Sequence, residues 1–227
     1  MSDNLKSIVF TLILCIVCSL LLTAATTMLK PRQEENILFN KHLNILKAAG
    51  YIKNGTEKTK PEIEKLYTEK IRPAKINNLN FYITLDIKNN ISGYIIPLIS
   101  DGLWGKINGY IAMKKDGKTI SGFTVSHHEE TPGLGGEIEH QPFQKDFKNK
   151  LIVNKRGNFT GIKIAKGKAK NSVPENIRSH YVDGISGATL TGKYLTIGLM
   201  KTLKDFEPVS AKFRSGKAKI KRFIQKK

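Results

Sequence analysis

An uncharged run of 23 residues, Ser7 to Leu29, is the feature that most constrains this chain. A helix rises about 1.5 Å per residue, so the run would span roughly 34 Å. That length is enough to cross a bilayer core of about 30 Å. The run is also longer than the apolar region of about 7 to 15 residues in a signal peptide, although Thr23-Ala24-Ala25 loosely resembles a cleavage site. We therefore predict a retained transmembrane helix, with residues 1–30 as the membrane anchor.

The remaining chain is long enough for one globular domain, since the sequence has 227 residues and a formal net charge of +19. Both cysteines, Cys15 and Cys18, lie inside the apolar run, so the soluble part uses no disulfide framework. The charges that flank the run do not fix its orientation. The charge of Lys6 is offset by Asp3, whereas basic residues follow the run on its other side. By the positive-inside rule, this distribution slightly disfavours an extracytoplasmic domain.

Two helices are predicted between the anchor and the globular domain. Apolar residues recur with a helical spacing from Glu34 to Tyr51, beyond Pro31. A second helix is expected to begin at Pro61-Glu62, where proline suits the first turn, and to end at Arg72-Pro73. We assign residues 31–75 to this helical segment.

Short β-rich runs separated by turn residues follow from Asn80. They predict a mainly antiparallel sheet in an α+β domain with peripheral helices, over residues 76–208. Asp116-Gly117 is the clearest hairpin signal. The predicted strands are 81–87, 93–98, 106–113, 119–125 and 161–165, and the predicted helices of this domain are Phe143–Leu151 and Tyr194–Phe206.

The turn Asp183-Gly-Ile-Ser-Gly-Ala-Thr-Leu-Thr191 combines glycines and hydroxyls just before an apolar periodic stretch. Its hydroxyls and free N–H groups at a helix start can receive a phosphate. They can equally be a plain N-terminal cap. Residues 187–193 have the spacing of a phosphate-binding loop, but Tyr194 stands where that loop needs a Ser or Thr for magnesium, so nucleotide hydrolysis is not expected.

A second dense segment runs from His127 to Glu137 and contains two His, three Glu, one Pro and three Gly residues. Its proline and glycines predict a rigid bend whose backbone can lie against a flat ligand. A plain surface loop is the alternative. The His and Glu residues at 127–130 are consecutive and lack the spacing of a metal site, so no metal is predicted.

The end of the chain, residues 209–227, is predicted to be a basic tail. From Ser210 onward it carries eight basic residues and no acid. Such a tail can meet anionic lipid or an acidic partner, or it can be a solvated segment. Nucleic-acid binding is not expected, because no aromatic residues interleave the charges in a nucleic-acid-binding motif.

Two of these segments resemble one family. Asp183 to Thr189 resembles the Asp-x-x-Ser/Thr-Gly-Ala-Thr flavinylation motif, and Glu130 to Gly135 is similar to the loop beside the flavin in an FMN-binding domain. The C subunit of the sodium-translocating NADH:quinone reductase and the G subunit of the related Rnf complex share that domain. The elements 102–105 and 136–139 look more like the quinone reductase subunit, and the likeness extends from the anchor to about Phe206.

The resemblance implies a set of cofactor-binding residues and no catalytic residue. FMN would be attached through its phosphate to Thr189, with Thr191 as the nearby alternative, and a flavin transferase would make the bond. Loop residues and an indole would pack on the ring. The expected cofactor-binding residues are Trp104, Glu130, Thr131, Leu134, Gly135, Asp183, Ser186, Gly187, Ala188, Thr189 and Thr191.

The resemblance further implies an electron-carrying flavoprotein subunit of a membrane reductase. It would pass electrons from NADH toward quinone, coupled to sodium export, as a single-pass inner-membrane protein with a periplasmic domain. Its partners would be the other subunits of the complex. The alternatives are an Rnf G-type subunit and a non-redox, membrane-anchored binding protein.

Overall fold

One long helix opens the computed structural model, which describes residues 2–52, 58–76 and 78–216. Helix α1 spans Asp3–Ala48 and contains the whole uncharged run. Within the described part of the chain it is the one helix that is long and apolar enough to cross a membrane. The N-terminal helix predicted from the apolar run is therefore confirmed.

The helix predicted from Glu34 to Tyr51 is confirmed as far as Ala48, but it is the continuation of α1 through Pro31 and not a separate helix. Between Lys30 and Glu34 no glycine ends a helix and no Ser, Thr, Asp or Asn begins a new one. The proline removes one backbone hydrogen bond without breaking the helix.

The structure divides into two compact units, Met1–Asn40 and Lys41–Lys227. The four-part division proposed above stays a prediction.

The second predicted helix is present as α2, Lys60–Lys70. It begins with a capping box, in which the backbone N–H of Thr59 donates to Oε2 of Glu62 at 2.8 Å. Strand β1, Ile71–Ile76, follows directly and was not predicted, because proline disfavours a strand interior. Pro73 is tolerated because β1 lies at the edge of the sheet.

The sheet confirms the α+β prediction. Five strands follow one another in space in the order of the sequence, and every neighbouring pair is antiparallel. Each predicted strand from 81 to 125 is present, with ends shifted by a few residues. After β1, the strands are β2 Leu79–Leu85, β3 Ile91–Asp101, β4 Lys106–Lys114 and β5 Ile120–His127.

Helix α5, Thr189–Asp205, packs on one face of this sheet. Its buried Leu195 and Leu199 join the main core with the inward residues of the strands. The hydroxyl of Ser100 on β3 donates to the carbonyl of Tyr194 at 3.0 Å and fixes the helix against the strand. The helix begins five residues before the predicted start at Tyr194, because its first turn carries no apolar periodicity.

The end of α1 covers the opposite face. Tyr82, Ile95 and Ala112 are cross-strand partners and share this face. Gly122 is the partner of Ala112, and a Cβ on it would collide with the carbonyl oxygen of Ala48. The sheet therefore lies between two helical layers, as expected for a sheet with both faces apolar.

The first part of the predicted basic tail is folded. Helix α6, Glu207–Arg214, packs on the core through Val209 and Phe213. The hydroxyl of Tyr94 donates to Oγ of Ser210 at 2.8 Å, and burial raises the pKa of this tyrosine. Apolar residues spaced along one side of the basic stretch explain the docking. Residues 217–227, with the remaining basic charges, lie outside the described residues.

Short elements connect the sheet to α5. The helix predicted at Phe143–Leu151 is present only as α3, Gln141–Asp146. Asn149 has a positive φ of 68°, and Lys150 accepts a backbone hydrogen bond from Ile120 of β5, so the chain leaves the helix early. The other elements are a 3₁₀ helix Gly135–Glu139, strand β6 Lys163–Ile164, helix α4 Ala169–Ser172, a 3₁₀ helix Glu175–His180 and strand β7 Tyr181–Val182, which pairs in parallel with β6.

The predicted Asp116-Gly117 hairpin is confirmed and supplies a stability test. Gly117 has a φ of +65°, and a Cβ there would also collide with the carbonyl of Ser210 in α6. Gly157 has a φ of +82° with no atom within 4 Å of such a Cβ. We expect Gly157→Ala to cost about 1–2 kcal/mol of backbone strain. Gly117→Ala should cost more, because α6 must move.

Urea unfolding of the full chain in detergent would measure both variants. Equal losses of stability would show that α6 does not pack against this turn.

Candidate functional site

Three segments that are far apart in the sequence meet at one end of the sheet. The first is the turn 102–105 between β3 and β4. The N–H of Gly102 donates to the carbonyl of Gly105 at 2.8 Å, which closes the turn. Lys106 pairs with Asp101 across its base and holds the pKa of that carboxyl below its usual range. The turn thus projects Leu103 and Trp104 beyond the sheet.

The second segment is the Glu130 loop, residues 128–134, which follows β5. Its bend is a turn with Pro132 and Gly133 at the central positions, the pattern of a type II turn. Gly133 has a φ of +75° as that turn requires. The carbonyl of Thr131 accepts hydrogen bonds from the N–H groups of Leu134 at 3.2 Å and Gly136 at 2.8 Å. The predicted rigid bend is therefore confirmed.

The third segment is the turn 183–188, which leads into α5. Thr189 is the first residue of that helix and is exposed. The helical hydrogen bonds begin at Gly192, whose N–H donates to the carbonyl of Ala188 at 3.0 Å. The N–H groups of the first helical residues have no partner within the helix, which makes this end favourable for an anion.

The carboxylate of Glu130 joins the three segments. One of its oxygens accepts the backbone N–H of Leu103 at 2.6 Å and that of Trp104 at 3.3 Å. The other accepts the hydroxyl of Thr191. Glu130 is only 4% exposed and Thr191 only 2%. A Cβ on Gly135 would lie 2.5 Å from Oε2 of Glu130 and 2.5 Å from Oγ1 of Thr191, which is too close. Glycine is therefore needed beside the carboxylate.

Between the segments lies a cleft of about 190 Å³. It brings together nine of the eleven residues predicted to bind a cofactor. The structure thus groups positions that are up to 87 residues apart, from Trp104 to Thr191. The cleft is lined by Leu103, Trp104, Glu130, Thr131, Leu134, Gly135, Gly187, Ala188, Thr189, Leu190 and Thr191.

The mouth of the cleft is apolar and accessible. Leu103, Trp104, Leu134 and Leu190 are all large apolar side chains with substantial exposure, and the indole of Trp104 is 68% exposed. The indole nitrogen of Trp104 donates to Oγ1 of Thr131 at 3.1 Å, which fixes the ring over the Glu130 loop. Exposed apolar surface of this kind is typical of a ligand site, because it can stack on a flat ring.

Two predicted residues lie outside the cleft lining. Asp183 has a local structural role, since its Oδ1 accepts the N–H of Ala169 at 2.7 Å and its own N–H donates to Asp146 at 2.6 Å. It lines a separate cavity of about 290 Å³. Ser186 is exposed in the turn.

Two lining residues were missed by the sequence analysis, Leu103 and Leu190. Each is adjacent to a residue that was predicted, Trp104 and Thr189. A signal for both was present in the sequence. Leu103 is a large apolar residue in a glycine-rich turn, and Leu190 is one at a helix start, and neither is needed there by the core.

The His and Glu residues of this region have separate partners. Nε2 of His127 lies 3.9 Å from Glu129, and Nε2 of His128 lies 3.3 Å from Glu139. Among the described residues, no group of three or more His, Cys, Asp or Glu side chains is arranged to hold a metal ion.

Comparison with known proteins gives one consistent family. The family profile described as "FMN-binding domain" matches residues 102–204, which include all three segments of the cleft. The chain is 30% identical to the C subunit of the Na(+)-translocating NADH-quinone reductase of Vibrio parahaemolyticus, over 95% of this chain and 97% of that protein. It is 28% identical to the equivalent protein of Yersinia pestis, over 94% of each.

A solved structure agrees with the fold. The crystal structure of the C subunit of the Na(+)-translocating NADH-quinone reductase from Parabacteroides distasonis superposes with a TM-score of 0.67 at 28% sequence identity. The match covers 82% of this chain and 97% of the other. The similarity therefore includes both the sheet domain and the segments that form the cleft.

The role of Glu130 in joining the segments is testable by substitution. Glu130→Leu keeps a side chain of similar volume but removes both accepting oxygens, so the N–H groups of Leu103 and Trp104 and the hydroxyl of Thr191 lose their acceptor. Leaving such a buried group unsatisfied costs about 1–3 kcal/mol. Glu129→Leu is the matched control, because that side chain is 59% exposed. It should change stability by less than about 0.5 kcal/mol.

Urea unfolding of the full chain measures both losses. Similar values for the two variants would contradict the role assigned to the Glu130 carboxylate.

Proposed function

Since this chain belongs to the family formed by the C subunits of Na(+)-translocating NADH-quinone reductases, we propose that it carries electrons through an FMN attached to Thr189. As a member of this family, the chain is a subunit of an oxidoreductase complex, and it contains an FMN-binding domain. We further propose which residues surround the flavin and how electrons pass through it.

The shape and chemistry of the cleft fit a flavin. Trp104, Leu134, Leu103 and Leu190 offer apolar surface for the flat ring system, and the backbone of the Glu130 loop offers polar groups at its edge. Thr189 starts α5 beside this surface, where the free N–H groups of the helix end suit a phosphate. The ring and the phosphate of one FMN thus each have a complementary surface.

The size and charge of the cleft favour a covalent tether over reversible binding. Its volume of about 190 Å³ lies below the ~300–1,000 Å³ usual for sites that enclose a ligand. Glu130 is the single charged side chain in the described lining, so no Lys or Arg there can pair with a phosphate. A flavin bound only by this surface would be largely open to solvent. A bond to the protein would keep it in place.

Among the nearby hydroxyls, the surroundings of Thr189 are the most suitable. Thr191 is buried, and its hydroxyl is used as a donor to Glu130. Ser186 is exposed but does not line the cleft. Thr189 is exposed and lines it. These observations support Thr189 over the alternative Thr191 as the residue that a flavin transferase modifies.

In the proposed mechanism the chain binds and orients, and it supplies no catalytic residue. FMN, when bound, supplies the redox chemistry, accepting electrons from one partner and giving them to the next. Glu130 fixes the relative positions of the loops that would contact the flavin ring. Trp104 at the mouth of the cleft is exposed, so a partner protein can approach from that side. Electrons would come from NADH and go on to quinone through other subunits, coupled to sodium export.

The proposed location is the inner membrane. Helix α1 is apolar over enough length to cross it, and the relatives are subunits of a sodium-translocating complex. We place the sheet domain on the periplasmic side because of the family resemblance, since the charges at the ends of the apolar run do not decide its orientation. The quinone reductase relatives favour this function over an Rnf G-type subunit, and the FMN-binding family match opposes a non-redox binding protein.

The attachment site is tested by in-gel flavin fluorescence. We expect the full chain, co-expressed with a flavin transferase, to keep its fluorescence after denaturation and to lose it to background in Thr189→Ala. Thr189→Ser retains a hydroxyl and should keep at least part of the signal. Ser186→Ala is the matched control and should keep all of it. A signal that survives in Thr189→Ala, or disappears in Ser186→Ala, would assign the bond to another residue.

A further inference from the structure

The two histidines that precede the Glu130 loop have different environments. The side chain of His127 is 62% exposed, whereas that of His128 is 12% exposed. Nδ1 of His128 accepts the backbone N–H of Glu130 at 3.1 Å. Its Nε2 lies 3.3 Å from the carboxylate of Glu139 in the 3₁₀ helix Gly135–Glu139. His128 therefore contacts the segment on each side of the bend.

We propose that His128 is a positioning residue for the cleft: as a neutral imidazole it holds the backbone of Glu130, and on protonation it releases it. Its effect on a flavin rests on the proposed function, whereas its effect on the loop does not.

The hydrogen bond to Glu130 fixes the tautomer of the neutral ring. A backbone N–H needs an acceptor, so Nδ1 must be without a hydrogen and the single ring proton must be on Nε2. A second proton has only Nδ1 to occupy. The imidazolium then points an N–H at the N–H of Glu130, and the two donors repel each other. The ring or the loop has to move.

On the opposite side of the ring, protonation strengthens the contact of Nε2 with Glu139. The charged ring faces the carboxylate of Glu139, which attracts it. The other charged groups of these segments have partners of their own: Glu129 lies beside His127, Glu137 lies 3.7 Å from His140, and the buried carboxylate of Glu130 accepts hydrogen bonds from Leu103, Trp104 and Thr191. Protonation thus strengthens one contact of His128 and removes the other. The ring therefore has two states: the neutral ring is bonded to the backbone of Glu130, and the protonated ring is held by the carboxylate of Glu139.

A movement of the Glu130 backbone reaches the cleft through few bonds. The carboxylate of Glu130 holds the N–H groups of Leu103 and Trp104, and Thr131 next in sequence holds the indole nitrogen of Trp104. Among the described residues, the two hydrogen bonds that Trp104 donates thus go to adjacent residues of this loop. Trp104 is also the single tryptophan of the chain, so the tryptophan emission comes from this one side chain.

The experiment is a pH titration of Trp104 emission in the full chain, in detergent and free of flavin, between pH 5 and 8. We expect a single one-proton step in the unmodified chain. His128→Asn retains an acceptor oxygen close to the position of Nδ1 and does not ionise. It should lose the step entirely and show the emission of the neutral-pH form throughout. His128→Leu lacks the acceptor and should show the acid-form emission at every pH.

The matched control is His127→Asn, which removes the exposed neighbouring imidazole and should titrate like the unmodified chain. A step that persists in His128→Asn, or that disappears in His127→Asn, would overturn the proposal, as would the absence of any step in the unmodified chain. Should His128→Leu fail to fold, the Asn variant alone decides.

The same variants in flavin-carrying protein separate this proposal from the proposed function. We expect the visible circular dichroism of the flavin to show the same step and to lose it in His128→Asn. Flavin that does not respond, while Trp104 does, would overturn the link from His128 to the cofactor. A chain that carries no flavin would overturn the proposed function and leave the Trp104 result standing.

Discussion

The arrangement of the candidate site depends on one buried carboxylate. Glu130 is almost without solvent contact, and its two oxygens accept hydrogen bonds from the backbone at 103–104 and from the side chain of Thr191. Burying a carboxylate is unfavourable unless it is fully hydrogen-bonded, so these donors and the acceptor stabilise each other. Three turns that would otherwise be independent are thereby fixed relative to one another.

This use of Glu130 explains why the cleft combines a fixed shape with an open surface. The polar groups that hold the segments together are underneath, and the apolar side chains that can contact a ring are at the mouth. The same arrangement removes Thr191 from the set of reactive hydroxyls. Thr189 remains accessible at the start of α5. A shallow cleft with an accessible hydroxyl at its edge is suited to a tethered group that must exchange electrons with partners.

Much of the fold could be predicted from the sequence, because its signals are local. The apolar run, the Asp116-Gly117 hairpin and the helix start at Pro61-Glu62 each depend on residues that are close together in the sequence. The errors occurred where tertiary contacts decide. Pro73 is acceptable only because β1 is an edge strand. The first part of the predicted tail belongs to α6, where the ring of Phe213 stacks on that of Tyr94 at 4.2 Å.

The site was predictable in a different way. Two short motifs identified most of the lining, but their spacing did not show that they meet or what each side chain does. Asp183 belongs to the motif and yet holds α4. Leu103 and Leu190 lie within the segments singled out in the sequence, but nothing in those segments showed that their side chains line the cleft. Such roles depend on how the three turns come together, which no local property of the sequence determines.

The central claim is that FMN is bonded to Thr189, and peptide mass spectrometry tests it most directly. The full chain matured with a flavin transferase should yield a peptide spanning Thr189 whose mass is raised by FMN less one water. Fragmentation should place the added mass on Thr189. An unmodified peptide from a flavin-containing preparation, or the added mass on Ser186 or Thr191, would contradict the account.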